Sequence, residues 1–200
     1  MFLPSPPETE TTVRLQQQDM ADRGHVMNLT RLWAWRPDVF EGFAALRATL
    51  MKGSTLTQRD WGVLVCATAA SLGDSYCALA WGRTLAGAAD TATAVSVLQD
   101  APENELTPRD QALSRWARQV VKDPNSSSAQ DVDLLRAAGL SDREIFEATA
   151  FIAFRLAFSS VNDALGVQPD WEVAAAAPAE VRAAVDFGRP AAPPPSTPAA

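Results

Sequence analysis

Residues 57–85 read TQRDWGVLVCATAASLGDSYCALAWGRTL. Thr57 is followed three positions later by Asp60, which is the spacing of a helix N-cap hydroxyl and an N3 carboxylate. The hydroxyl accepts from an orphan backbone N–H, and the acid suits the positive end of the helix. Leu56, just before the cap, can staple onto the first turn. The pattern recurs in Leu106-Thr107-Pro108-Arg109-Asp110 and in Leu140-Ser141-Asp142-Arg143-Glu144. Pro108 falls at N1, where its missing N–H is not needed, and Leu140 is expected to staple against Ile145. Three helices therefore start near residues 57, 107 and 141.

Working outward, further helices are predicted at 37–52, opened by Pro37 and closed by Gly53, at 75–87 after Asp74, at 128–138 closed by Gly139, and at 177–187. The longest, 141–165, is expected to present Ile145, Phe151, Phe154 and Phe158 to the core. It also carries Arg155 inside an apolar stretch, and a buried cation there needs a partner or an exit to water. Glu147 lies two turns away, so Asp60 or Asp74 from another helix is the expected partner. Strand signals are scarce: there is one Tyr, and no Asn-Gly or Asp-Gly turn joins two alternating runs. The fold class is all-α, a helical bundle. Segments 56–77 and 140–161 align with a single offset, a weak sign of internal duplication.

Two hundred residues, 47% of them hydrophobic, suffice for one core and do not demand two. With 17 basic against 24 acidic residues and a net charge of −7, the chain lacks the basic face that nucleic acid requires. No apolar run reaches the roughly 18 residues of a membrane span, and the polar, acidic N-terminus is unlike a secretory leader, so the expectation is a cytoplasmic protein. Cys66 and Cys77 are the only cysteines and His25 the only histidine, which argues against a disulfide scaffold and supplies a zinc site poorly. No metal and no cofactor are expected. Residues 1–10 and 189–200 are Pro-rich with few large apolar groups, the composition of disordered or extended tails. The expected organisation is a flexible arm over 1–28, a helical domain over 29–172, a helical extension over 173–188 and a tail over 189–200.

The 57–85 run, together with LTPRDQALSRWARQVVKDP (106–124), DVDLLRAAGLSDREIFEATAFIAF (131–154), DALGVQPDW (163–171) and RLWAWRPDVFEGFAALRATLMKGSTLT (31–57), resembles the AhpD-like and carboxymuconolactone decarboxylase superfamily. Its peroxidase-related branch is the most similar. The resemblance implies an all-α fold associating as dimers, trimers or hexamers of itself. It also implies a motif of the form E-x11-C-x2-C-x3-H, in which one thiolate attacks a peroxide O–O bond, the second cysteine closes a disulfide, and Glu and His relay protons. Laid on this sequence, the second cysteine falls on Cys77. The first cysteine position holds Asp74, the histidine position Trp81 and the glutamate position Gly62; a further histidine found in some members falls on Tyr76.

Without a cysteine at 74 the internal Cys-x-x-Cys disulfide cannot form, and Cys66 lies eleven residues before Cys77, roughly 16 Å away along a continuous helix. A one-cysteine cycle survives, in which Cys77 becomes a sulfenic acid that an external thiol reduces. A place near the third residue of a helix favours the thiolate, whereas the charge of Asp74 raises the thiol pKa. Bland readings stand beside these: Cys66 as packing, Asp74 as an N-cap, Tyr76 and Trp81 as volume in place of histidine, His25 as a solvated side chain. Two functions remain open. One is a thiol peroxidase with Cys77 as the attacking sulfur. The other is a silent relative whose pocket, lined by Gly62, Tyr76 and Trp81, binds a small apolar or aromatic molecule or serves assembly.

Overall fold

The structure is a computed structural model that describes residues 1–101 and 106–194. All regular structure among them is helical. In chain order the helices are α1 (Glu10–Arg23), α2 (Asn28–Trp33), α3 (Pro37–Met51), α4 (Gln58–Leu72), α5 (Ser75–Ala88), α6 (Thr91–Gln99), α7 (Pro108–Lys122), α8 (Ala129–Ala137), α9 (Asp142–Ala164), α10 (Trp171–Ala176) and α11 (Ala179–Ala184). The all-α expectation is met, and α3, α5, α8 and α9 fall within a residue or two of their predicted ranges.

All three cap motifs form capping boxes, at Thr57 with Asp60, Thr107 with Asp110 and Ser141 with Glu144. Arginines from neighbouring boxes then tie these acids together. Arg59 reaches Asp110 at 2.7 Å, while Arg109 reaches Asp60 and Glu144, each at 2.9 Å. The starts of α4, α7 and α9 thus converge on one network. Leu140 and Ile145 lie in the same buried cluster, as the staple requires.

Gly73, with φ of 76°, ends α4 in a left-handed conformation that a side chain disfavours, and α5 folds back onto α4. The predicted separation of the two cysteines assumed one continuous helix and does not hold, because the chain breaks at Gly73 and α5 packs back against α4. The hairpin also limits the apparent duplication to the caps and the helix as far as Leu72, because α4 stops there whereas α9 runs unbroken to Ala164. Helix α4 is the hub, packing on α5, α6, α7 and α9, and contributes Val63, Leu64, Val65 and Cys66 to the core at 0 or 1% exposure.

Several expectations need correction. The supposed arm contains α1, capped by Thr9 and packed on α2 and α3 with Leu15 buried, and Phe2 donates its backbone N–H to the Leu165 carbonyl. The single extension helix is instead the pair α10 and α11, parted by Pro178, whose missing N–H and fixed φ suit a helix start. The first part of the C-terminal tail is tied down, with Arg189 accepting from the Ser75 hydroxyl and Ala192 donating to Pro169; residues 195–200 lie outside the described residues. Phe151 is fully buried, but Phe154 and Phe158 are half-buried and face a cavity. Among the described residues no helix is long and apolar enough to cross a membrane.

Candidate functional site

A cavity of about 1030 Å³ opens where α3, α5, α9 and α10 meet the turn after α1, and Cys77 is part of its wall. Asp74 caps α5 by accepting the Cys77 backbone N–H at 2.9 Å. This consumes the helix-terminal donor that the sequence reading offered to the sulfur. Cys77 itself is 4% exposed.

Arg155, projecting from α9, donates from Nη2 to Cys77 Sγ at 2.6 Å. The expected partners Asp60 and Asp74 are both wrong, since Asp60 is held by Arg109 and one Asp74 oxygen by the Cys77 amide. Arg155 is 7% exposed, its Nε has no hydrogen-bond partner, and no carboxylate lies within ion-pairing distance of it among the described residues. Its guanidinium instead sits over two rings, 5.3 Å from the Phe158 centroid and 6.0 Å from that of Trp81, which offsets part of the cost of burial. Ser159, one turn further along α9, places its hydroxyl 3.7 Å from the sulfur.

Burial pushes the Cys77 thiol up to about 12. Arg155 and Ser159 pull it down, Asp74 pushes it up, and burial wins, which favours a protonated sulfur beside the guanidinium. Burial also raises Cys66, which is fully enclosed and inert as packing.

The other motif positions separate. Tyr76 and Trp81 line the cavity. The Tyr76 hydroxyl donates to Asp170, whose second oxygen accepts the Asn28 backbone N–H at 2.9 Å. Asp74 is a fully buried N-cap rather than a cavity residue. Gly62 is not in the cavity at all: a Cβ there would meet the Leu85 side chain at 3.1 Å, so glycine serves the close approach of α4 to α5. His25, expected in solvent, is half-buried on the cavity wall, 3.9 Å from Glu172. Ligand atoms of His25, Asp170 and Glu172 lie within 4.8 Å of one another, although both Asp170 oxygens already accept hydrogen bonds.

Sequence reasoning missed Ser159, Arg47 and the aromatic wall. Ser159 was within reach, being four residues after Arg155 and so on the same helix face. The wall was not, because it joins α2, α3 and α9: Trp33 stacks on Phe158 at 5.1 Å, and Phe40 and Phe43 from α3 close around both.

No family model and no curated protein sequence matches the chain. Solved structures do. An uncharacterized peroxidase-related protein from Ralstonia eutropha JMP134, described as an alkylhydroperoxidase AhpD core, superposes with a TM-score of 0.76 at 25% identity, over 86% of this chain and 94% of the other. A peroxidase-related protein from Silicibacter sp. TM1040 gives 0.74 at 20% identity over 87% and 93%. A cysteine-to-alanine form of the debrominase Bmp8, in complex with 2,3,4-tribromopyrrole, gives 0.68 at 14% identity over 92% and 96%. With its helix order, its α4–α5 hairpin and these likenesses, the chain has the AhpD-like all-α fold.

Proposed function

We propose that the protein is a one-cysteine thiol enzyme that reduces an organic hydroperoxide held in the aromatic cavity, with Cys77 as the reacting sulfur. The observation that carries this reading is the Arg155 guanidinium, placed on the sulfur at 2.6 Å at the cavity wall and claimed by no carboxylate among the described residues. Such a cation stabilises a thiolate as it forms, which is what nucleophilic attack demands. Burial raises the resting thiol, and Arg155 opposes that rise. The sulfur attacks the terminal oxygen of the hydroperoxide and the O–O bond breaks. The alkoxide leaves with the thiol proton as an alcohol, and Cys77 becomes a sulfenic acid. One external thiol then condenses with it to a mixed disulfide, releasing water, and a second thiol restores Cys77 and leaves as the disulfide. The likeness to a peroxidase-related protein and an AhpD core supports this chemistry.

The same burial favours a second reading, in which the cavity only binds and Cys77 is part of its wall. Cumene hydroperoxide and a sulfenic-acid probe separate the two. The thiol reading expects labelling that saturates with hydroperoxide, exceeds that of an ordinary exposed thiol, is reversed by a small thiol and vanishes in Cys77→Ser. Labelling no faster than an ordinary thiol leaves the binding reading in place.

A further inference from the structure

The chain carries a net charge of −7, yet on the wall of this cavity arginines outnumber acids. Arg23, Arg47, Arg83 and Arg155 line it against Asp19, Asp22 and Glu172. The acids lie beside other groups: Asp19 and Asp22 are 3.6 and 3.8 Å from Arg23, and Glu172 is 3.9 Å from His25. Arg47, Arg83 and Arg155 therefore enter the cavity with no carboxylate within 4.0 Å among the described residues. Arg155 is also 93% buried, and a cation so placed is costly unless an opposite charge arrives.

Arg47 adds an independent sign. It reaches the cavity rim from α3 with part of its side chain in solvent. The surrounding protein, and then the guanidinium groups of Arg155 and Arg23, push it below the usual arginine range. Cations that repel one another across a cavity, with aromatic rings around them, form a site of defined chemistry.

We infer that the cavity binds an organic anion with an aromatic body, its negative group drawn between Arg47 and Arg155 and its rings laid against Phe40, Phe43, Trp81 and Phe158. Two guanidinium charges face one anionic group, so a bound carboxylate leaves positive charge for the Cys77 sulfur. The inference rests on the cavity being the working site, and it narrows the occupant, whether a hydroperoxide that reacts or a molecule only bound, to one whose aromatic body carries a carboxylate or an acidic phenol.

Calorimetric titration of the full chain with 2-naphthoate and with its neutral amide, 2-naphthamide, tests it. The carboxylate is expected to bind at least about tenfold more tightly, a difference of about 1.4 kcal/mol. That preference should shrink as salt rises from about 0.05 to 0.5 M and fall below about threefold in Arg47→Gln, whose exposed position spares the fold. The inference is overturned if neither compound binds, if both bind alike, or if folded Arg47→Gln keeps the full preference. The thiol reaction is judged separately. Cys77→Ser should bind naphthoate as the wild type does. Carboxylate preference without sulfenic-acid formation retains the anion site and removes the reaction, and the reverse pattern removes the anion site and retains the reaction.

Discussion

Arg109→Met tests the reasoning about the helix starts most directly. Arg109 Nε and Nη2 each contact an acid at 2.9 Å, Asp60 and Glu144, and Nη1 donates to the Gly139 carbonyl at 3.1 Å. The Arg109 side chain is 28% exposed, whereas Asp60 and Glu144 are 4% and 11% exposed. Its loss leaves two nearly buried carboxylates facing each other. Exposed pairs contribute about 1 kcal/mol at most, and breaking a buried pair costs about 3–5. Both acids keep their cap hydrogen bonds here, so the expected loss is about 3 kcal/mol at pH 7. The pH dependence follows from Glu144. Burial raises its carboxyl, but the Ser141 backbone and hydroxyl, then Arg109 and Thr55, outweigh burial and hold it down at about 2, against an ordinary 4.5. A depressed carboxylate stabilises above its unfolded pKa, and that contribution is lost as pH falls from about 4.5 through about 2. The deficit of Arg109→Met is therefore largest at neutral pH and smaller near pH 3. Urea unfolding followed by tryptophan fluorescence at both pH values measures this, with Arg136→Met, whose partners Asp133 and Asp142 are 69% and 75% exposed, as the control. A loss below about 1 kcal/mol, or one equal to the control, refutes the reasoning.

Four further outcomes are expected. Tyr76→Phe removes the donor to Asp170, which is 4% exposed, and should cost about 1–3 kcal/mol in urea unfolding; an unchanged midpoint argues that the bond contributes nothing. Gly62→Glu, which supplies the carboxylate of the family motif, forces a charged side chain against Leu85 and should lose about 3 kcal/mol or more without any gain in thiol oxidation. Asp163 is raised by burial, then by Asp74, to about 7, so its penalty appears as pH climbs from its ordinary 3.8 and is complete above about 7. After allowance for its partial exposure, Asp163→Asn should stabilise by about 1–2 kcal/mol at pH 8 and by nothing at pH 4, as read from thermal midpoints. Alkylation of Cys77 by iodoacetamide should rise about tenfold per pH unit between pH 7 and 10; a plateau below pH 9 contradicts a thiol held at about 12 by burial.

The helix starts were legible because capping is local: Thr57, Thr107 and Ser141 each meet a partner three residues on, and nothing distant decides the matter. What the caps hold was not legible. Arg59 and Arg109 stand in the first turns of α4 and α7, and only the docking of three helices gives each the acid of another box. Arg155 was conspicuous for the right reason, a cation among apolar neighbours, but its partner was sought among carboxylates and turned out to be a sulfur. Gly62 shows the opposite failure. A motif position suggested a pocket, while the side chain that it lacks reports helix packing. The arm over residues 1–28 was misjudged because α1 is polar along most of its length, and its order comes from the Thr9 cap, Leu15 and the helices beneath it.

The tie between the capping boxes also bears on the order of events in folding. Each box spans three residues and can form together with its own helix, whereas the Arg59–Asp110, Arg109–Asp60 and Arg109–Glu144 bonds span 51, 49 and 35 residues. Long loops must close before those bonds exist. The boxes are therefore expected to form on the climb toward the transition state and the arginine bonds on the descent from it. Weakening the cap at Thr107 is then expected to slow folding, and losing Arg109 chiefly to speed unfolding, as stopped-flow kinetics of the two variants would measure. One short motif, written three times, thus sets both how quickly the bundle assembles and how long it lasts.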